Sequence, residues 1–185
     1  NMPITLEGKR FIRVLAERDI VPEQDNGQEI IIHPNGDGIT HAIQCFINRS
    51  NLPSNIVENN ILDALNKIFA HDTNFTDIVC QYHDNRKWEI FLEENNKGRI
   101  ALSKSGSGLK TVITVLVCLY ILPEVNNDSL DKYIFGFEEL ENNIHPALLR
   151  RLNDFIYKTA VENDFIYFLT THSNVLIDQF SKQQD

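Results

Sequence analysis

"KYIFGFEELENNIHP", Lys132 to Pro146, is the most informative stretch of this chain. Tyr133 to Phe137 is apolar and rich in strand-forming residues, and three acids, Glu138, Glu139 and Glu141, follow it before a His-Pro pair. A strand that ends in carboxylates delivers them where a low-dielectric floor meets a solvated mouth, a costly position for an acid that is neither paired nor metal-bound. Two such acids suit nucleotide hydrolysis: one holds Mg2+ directly or through water, and the next orients and deprotonates a water. The competing reading is an acidic loop or helix start favoured by a helix macrodipole. The flanking sequence has to separate the two.

Downstream, His145-Pro146 opens an amphipathic helix whose apolar face is Ala147, Leu148, Leu149, Leu152, Phe155 and Ile156, with proline at a permitted first-turn position. "DFIYFLTTHS", Asp164 to Ser173, then gives a second apolar strand that ends in Thr170, Thr171, His172 and Ser173. A histidine after a strand is most often structural or merely exposed. Beside a parallel strand that carries acids, however, it can reach a terminal phosphate. Upstream, "ALSKSGSGLKTVITVLVCLY" sets Ser103, Ser105, Gly106, Ser107 and Gly108 ahead of a long apolar helix. That order offers small side chains, free N–H groups and a positive helix end to an anion, and its plain alternative is a flexible glycine turn. "GSGLKT" is not a P-loop, because Leu109 separates Gly108 from Lys110 and the upstream glycine spacing is missing; no other stretch matches one.

From Arg99 onward strands, loops and helices alternate, which predicts an α/β unit with a largely parallel sheet and ligands outside the strands' C-terminal ends. Before it, "RFIRVL" (Arg10 to Leu15) and "EIIIH" (Glu29 to His33) read as strands, and "PNGDG" (Pro34 to Gly38) as a turn. Ile39, Ala42, Ile43, Phe46 and Ile47 share one face of a predicted helix. Ser54 is the expected cap of another, with Ile56, Val57, Asn60, Ile61, Ala64, Leu65 and Ile68 on its core face. Thr76 to Tyr82 and Lys87 to Glu93 alternate as strands, joined through "HDNR" as a hairpin.

With 185 residues and 42% hydrophobic content the chain can bury a real core. A net charge of -9 argues against broad non-specific attraction to DNA or anionic lipid. Cys45, Cys80 and Cys118 form no C-x-x-C pair and sit in apolar stretches, so they read as reduced core residues of a cytoplasmic protein. Val112 to Leu122 is too short to span a bilayer and the N-terminus carries no basic-then-apolar signal, so no membrane segment is expected. The opening Asn1-Met2-Pro3 and the stop soon after the histidine loop suggest a portion of a longer protein.

Taken in order, "LSKSGSG", "YIFGFEELENNIHP" and "FLTTHS" resemble the C-terminal half of ABC-type ATPase heads, within the SMC-like and OLD-family branch of AAA-like DNA-repair and anti-phage ATPases. There they are the signature loop, the Walker B strand with catalytic acid and D-loop, and the switch-histidine loop. The likeness is strong over Arg99 to Asn174 and weak over Asn1 to Gly98, through "RFIRVLAERD" and "PNGDG". It implies an α/β fold, an ABC-type head portion of the P-loop NTPase class: a mostly parallel sheet flanked by helices, with a β-hairpin and a helical signature lobe. Residues 1–98 would supply linking strands, helices and the hairpin, and residues 99–185 the signature helix, Walker B and switch-histidine part. By the same resemblance Glu138 is the metal-side acid for Mg2+, Glu139 the general base and His172 the γ-phosphate sensor. Ser103, Ser105, Gly106, Ser107 and Gly108 would face the γ-phosphate of ATP held by a partner subunit.

Two departures stand out: Glu138 where Asp is usual, and Leu140 where proline is common. The Walker A loop is missing from the sequence, so this segment alone is expected to bind ATP poorly and to be inactive until a lobe bearing that loop completes it. The implied cofactors are ATP and Mg2+. The implied partners are a second head, in a homodimer or higher homo-oligomer, DNA through other regions, and a nuclease or accessory defence subunit. Two further readings remain open: a degenerate head acting as a protein-interaction module, and a metal-dependent nuclease using Glu138, Glu139 and Glu141 directly on phosphodiester.

Overall fold

A computed structural model describes residues 8–25, 27, 29–70, 72–95 and 97–182; the first residues of the expected 1–98 segment lie outside them. In chain order it contains β1 (Arg10–Val14), α1 (Ile39–Asn48), a π-helical turn (Ile56–Ile61) running into α2 (Leu62–Ile68), β2 (Phe75–Tyr82), β3 (Trp88–Glu94) and β4 (Gly98–Ala101). There follow α3 (Ser107–Asn126), β5 (Tyr133–Glu138), α4 (Pro146–Asn163), β6 (Ile166–Thr170) and α5 (Asn174–Lys182). Two sheets result. One is parallel, in the order β1-β5-β6, and the other is antiparallel, in the order β2-β3-β4.

The predicted Walker B strand is the middle of the parallel sheet. Its alternate residues Tyr133, Phe135 and Phe137 turn to one side and stack with ring centroids 5.5 and 5.8 Å apart, and Phe165 meets Phe135 edge-on at 5.2 Å. Helix α3 lies on this side: the Tyr133 hydroxyl donates to the Leu122 carbonyl (3.2 Å) and accepts from Asn126 Nδ2 (2.9 Å). Every residue from Thr111 to Leu119 is buried, as expected of a helix that is apolar all round and sits in a core. By length and composition α3 could also cross a membrane, but 61% of that window is buried inside the fold. On the sheet's opposite side Phe11 and Phe168 are 62% and 60% exposed, and Gly136 lies between their strands. A Cβ on Gly136 would stand 2.9 Å from the Phe11 ring.

Three expectations are revised. "EIIIH" has the burial alternation of a strand, with Ile30 and Ile32 half-buried against exposed Glu29, Ile31 and His33, but it forms no ladder with any of the described residues. The bridge to the hairpin is made instead by Glu23, which exchanges N–H to carbonyl bonds with Trp88 at 3.1 and 2.7 Å. The stretch after Ser54 begins as a π-helix, whose wider turn leaves Asn60 exposed while Val57, Ile61, Ala64, Leu65 and Ile68 are buried. Ser54 donates its hydroxyl to Glu58 (2.8 Å) rather than capping a helix. The strand expected at Arg99 joins the antiparallel sheet, because Glu94 and Gly98 pair directly and so short a return allows only an antiparallel neighbour.

The "HDNR" hairpin is present: His83 N–H donates to the Lys87 carbonyl at 2.9 Å, and Arg86 takes the left-handed conformation. Glycine is required at the start of α1, where Gly38 has φ 89° and an added Cβ would lie 1.9 Å from the Ile31 carbonyl oxygen. The three cysteines are free thiols; burial pushes Cys45 up to about 11 and Cys80 and Cys118 up to about 12. Truncating the centre of the aromatic row, Phe135→Ala, is expected to cost about 3–5 kcal/mol of stability in urea unfolding, because both the buried ring and its stacking partners are lost.

Candidate active site

Strands β5 and β6 run side by side in the same direction, so their C-terminal ends open on one rim, with Glu138 opposite Thr170. The ladder continues one residue further, since the Glu139 N–H donates to the Thr170 carbonyl at 2.9 Å. There Glu139 turns left-handed (φ 42°) and the chain leaves the sheet. Asn142 and Ile144 N–H groups return to the Glu139 and Glu141 carbonyls, both at 3.1 Å, while Leu140 and Ile144 drop into the core. This loop sets Glu139 Oε1 3.9 Å from Nε2 of His172, with both side chains open to solvent. The second Glu139 oxygen accepts from Asn142 Nδ2 at 3.0 Å.

Neighbouring residues on a strand point to opposite sides, and Glu138 accordingly turns away from this pair. Its Oε1 accepts from Arg13 Nε on β1 at 2.5 Å. That bond, more than any other influence, holds the Glu138 carboxyl below its ordinary value. Glu141, which the sequence offers only as a third acid, has a different task. Its Oε1 accepts from the Thr171 hydroxyl (2.8 Å) and the His172 N–H (2.7 Å), and its Oε2 is buried without a partner. Burial pushes the Glu141 carboxyl up, but its own N–H, Thr171, His172 and Ser173 outweigh that and hold it below the ordinary value. Glu141 therefore fastens the histidine loop to the acid loop. Among the described residues no three His, Cys, Asp or Glu side chains cluster as a metal cage.

The serine-glycine loop divides in two. Ser103 lies in a 3-10 turn with its N–H on buried Glu89 (3.2 Å), and the Ser105 hydroxyl and N–H both return to the Leu102 carbonyl, at 2.7 and 3.1 Å. Gly106 is the N-cap of α3 with open space beside it. Ser107 instead donates its hydroxyl to the Asn143 carbonyl at 2.9 Å, and Gly108 packs where a Cβ would lie 3.3 Å from Leu148 and 3.7 Å from Ile144. Ser107 and Gly108 thus meet the acid loop, while Ser103 and Ser105 are engaged in their own turn. Lys110, the residue that gave "GSGLKT" its likeness to a P-loop, is bonded to Asp19 at 2.5 Å.

Arg18 escaped the sequence reading because nothing in "AERD" marks one charge above the others. It is half-buried, and its guanidinium donates to the carbonyls of Leu15 (2.7 Å), Ala16 (3.3 Å), Glu138 (3.0 Å) and Glu139 (3.4 Å) and to the Thr111 hydroxyl (3.1 Å). Burial lowers its pKa from the ordinary arginine value, while Glu141 and Glu139 oppose the shift. Beside it lies a polar cleft of about 540 Å³, lined by Asp19, Ser107, Thr111, Asn142 and Asn143 among others. A larger cleft of about 640 Å³, around Glu23, His33 and His41, contains none of the rim residues. Its Glu23 carboxylate is already engaged, accepting from the Gly38 and His41 N–H groups at 2.5 and 2.7 Å.

The profile of the AAA ATPase domain family matches residues 37–177. No curated protein is significantly similar in sequence. The Smc head bound to the C-winged helix domain of ScpA aligns at a TM-score of 0.52 with 14% identity, over 80% of this chain and 51% of its own. A head from work on ATP-driven dimerization and DNA-stimulated activation of SMC ATPases aligns at 0.50 with 12% identity, over 73% of this chain and 76% of its own. The Pyrococcus furiosus Smc head domain with an extended coiled coil, bound to the C-terminal domain of ScpA, gives 0.48 with 15% identity over 68% of this chain. The present chain covers 30% of that last protein. Identities this low speak to fold alone, and the family match, which takes in α1 through the start of α5, supplies the rest: the chain belongs to the AAA ATPase domain family and has the fold of an SMC-type ATPase head.

Proposed function

We propose that this chain is the signature, Walker B and switch-histidine part of a cytoplasmic ATPase that hydrolyses ATP with Mg2+ between two heads. The reading is carried by the approach of Glu139 and His172 to 3.9 Å at the C-terminal rim of neighbouring parallel strands, where ligands of such sheets gather. Glu139 orients and deprotonates the attacking water, and His172 reaches the γ-phosphate. We assign Ser103, Ser105, Gly106, Ser107 and Gly108 to the nucleotide of the second head: Gly106, Ser107 and Gly108 form the helix start that favours an anion, and Ser103 and Ser105 build the turn that leads into it.

Beside nucleotide phosphates Mg2+ takes one or two carboxylates and fills its shell with water and phosphate oxygens. Glu138, held ionised next to Arg13, is a donor of that kind. When bound, the metal would neutralise charge on the phosphates. The lysine and backbone cradle for the β- and γ-phosphates would come from a lobe bearing G-x-x-x-x-G-K-S/T, without which this segment does not turn over ATP. Residues 1–98 frame the site and residues 99–185 carry it. As in the OLD-like branch that the motifs resemble, the output is control of a DNA-directed or anti-phage nuclease, carried by other regions or by an accessory subunit.

A second reading, a degenerate head that binds another protein, is favoured by the Arg13 to Glu138 pair, since a carboxylate already matched by a guanidinium needs no metal. Equilibrium ATP binding to the full-length protein separates the two: the ATPase shows Mg2+-dependent affinity and ATP-driven association, and the module shows neither.

In the full-length protein Glu139→Gln is expected to reduce ATP turnover by at least roughly a hundredfold while ATP-stabilised association persists. Unchanged hydrolysis would remove Glu139 from the role of base. His172→Ala should slow turnover in the same steady-state assay, and a wild-type rate would exclude it from the site. The fold holds Glu141 below its ordinary value of 4.5, so its stabilisation is complete above that pH and is lost as pH falls through the lower folded value. The stability gap between wild type and Glu141→Gln, measured by urea unfolding, should therefore be widest near neutrality and close in acid.

A further inference from the structure

We propose that Arg18 is a positioning residue that ties the start of α3 to the acid loop and so holds Glu139 in its working orientation; this rests on the ATPase reading above. A guanidinium is a planar fork of five N–H donors in fixed directions, able to hold several acceptors in one geometry. In Arg18 each limb is used. Nε reaches Thr111 Oγ1, one terminal nitrogen takes the Leu15, Ala16 and Glu138 carbonyls, and the other takes the Glu139 carbonyl.

Thr111 is buried and lies one helical turn beyond Ser107, on the same face of α3. Ser107 in turn holds the Asn143 carbonyl. The first turns of α3 therefore grip the acid loop at both ends, through Arg18 at Glu138 and Glu139 and through Ser107 at Asn143. What they grip is not relaxed backbone. Glu139 has φ 42°, a conformation that a non-glycine residue keeps only when its surroundings impose it. Arg18 and Glu139 also sense each other electrostatically, although their direct bond is to the carbonyl rather than the carboxylate. A displacement of α3 at its serine-glycine end would thus be transmitted to the base through Arg18, while Ser107 moves the far end of the same loop.

A merely structural Arg18 would satisfy buried carbonyls and influence stability alone, so the test separates turnover from binding. Steady-state ATP hydrolysis by the full-length protein is compared for wild type, Thr111→Val, Arg18→Lys and Glu139→Gln, with thermal unfolding of each. Thr111→Val keeps the side-chain shape and removes only the Nε acceptor, while Arg18→Lys keeps charge and loses the fork. The expected result is kcat lowered roughly 10- to 100-fold in both, with half-saturation by ATP within about twofold of wild type. If Arg18→Lys fails to fold, Thr111→Val decides. A wild-type kcat in Thr111→Val, or a change in KM with kcat intact, overturns the proposal. No ATP turnover by the wild-type protein overturns the ATPase reading; a Glu139→Gln enzyme that still turns over at the wild-type rate removes Glu139 as the base and this inference with it, whereas an inactive Glu139→Gln beside a fully active Thr111→Val sinks the coupling alone.

Discussion

Glu141 accepting from both the Thr171 hydroxyl and the His172 N–H is the contact that turns two loops into one site. Parallel strands bring the loops to the same rim, but loops at a rim are free to diverge unless something crosses between them. A carboxylate is well suited to the crossing: ionised, it accepts several charge-assisted hydrogen bonds at once, and each is stronger than a neutral one. The second Glu141 oxygen is buried with no protein hydrogen-bond partner among the described residues.

The charge layout of the rim follows the same economy. Glu138 at the end of β5 and Glu139 and Glu141 in the loop that follows would repel each other if they shared a direction. Strand geometry and the left-handed turn at Glu139 separate them instead, with Glu138 toward Arg13 on one side, Glu139 toward His172 at the mouth, and Glu141 inward. Arg18 is bonded to the carbonyls of Glu138 and Glu139 and senses the carboxylates of Glu139 and Glu141, so a chain with net charge -9 keeps a half-buried cation against this acidic turn.

Much of this frame is legible in the sequence because it is local. The apolar run to Phe137, the proline at the first position of α4, and the mostly apolar run of α3 each specify their element through short-range pattern; β5 ends one residue past Phe137, Pro146 opens α4, and α3 extends past Val112 to Leu122 at both ends. The nearness of Glu139 and His172 is also legible, since it needs only that the two strands be parallel neighbours. What fails to show in the sequence depends on distant partners. "EIIIH" alternates in burial as a strand would, yet among the described residues no strand lies beside it to pair with. The π-helical start before α2 moves Asn60 outward, and periodicity alone cannot register a change of helix type. Arg18 and Glu138 are 120 residues apart, and no spacing rule links them. Glu141 looks like its neighbours until the loop is closed around it.

Cysteine chemistry offers a practical consequence. The thiolate is the species that reacts with alkylating reagents and oxidants, and in this fold all three thiols remain protonated far above neutral pH because the surrounding apolar packing excludes the charged form. Cys118 lies in the central helix α3, Cys45 in α1 and half-buried Cys80 in the hairpin, where it senses Cys45 nearby. Their alkylation rates in the native protein would report local opening at α3 through Cys118 and at the seam of α1 with the hairpin through Cys45 and Cys80, needing no introduced label.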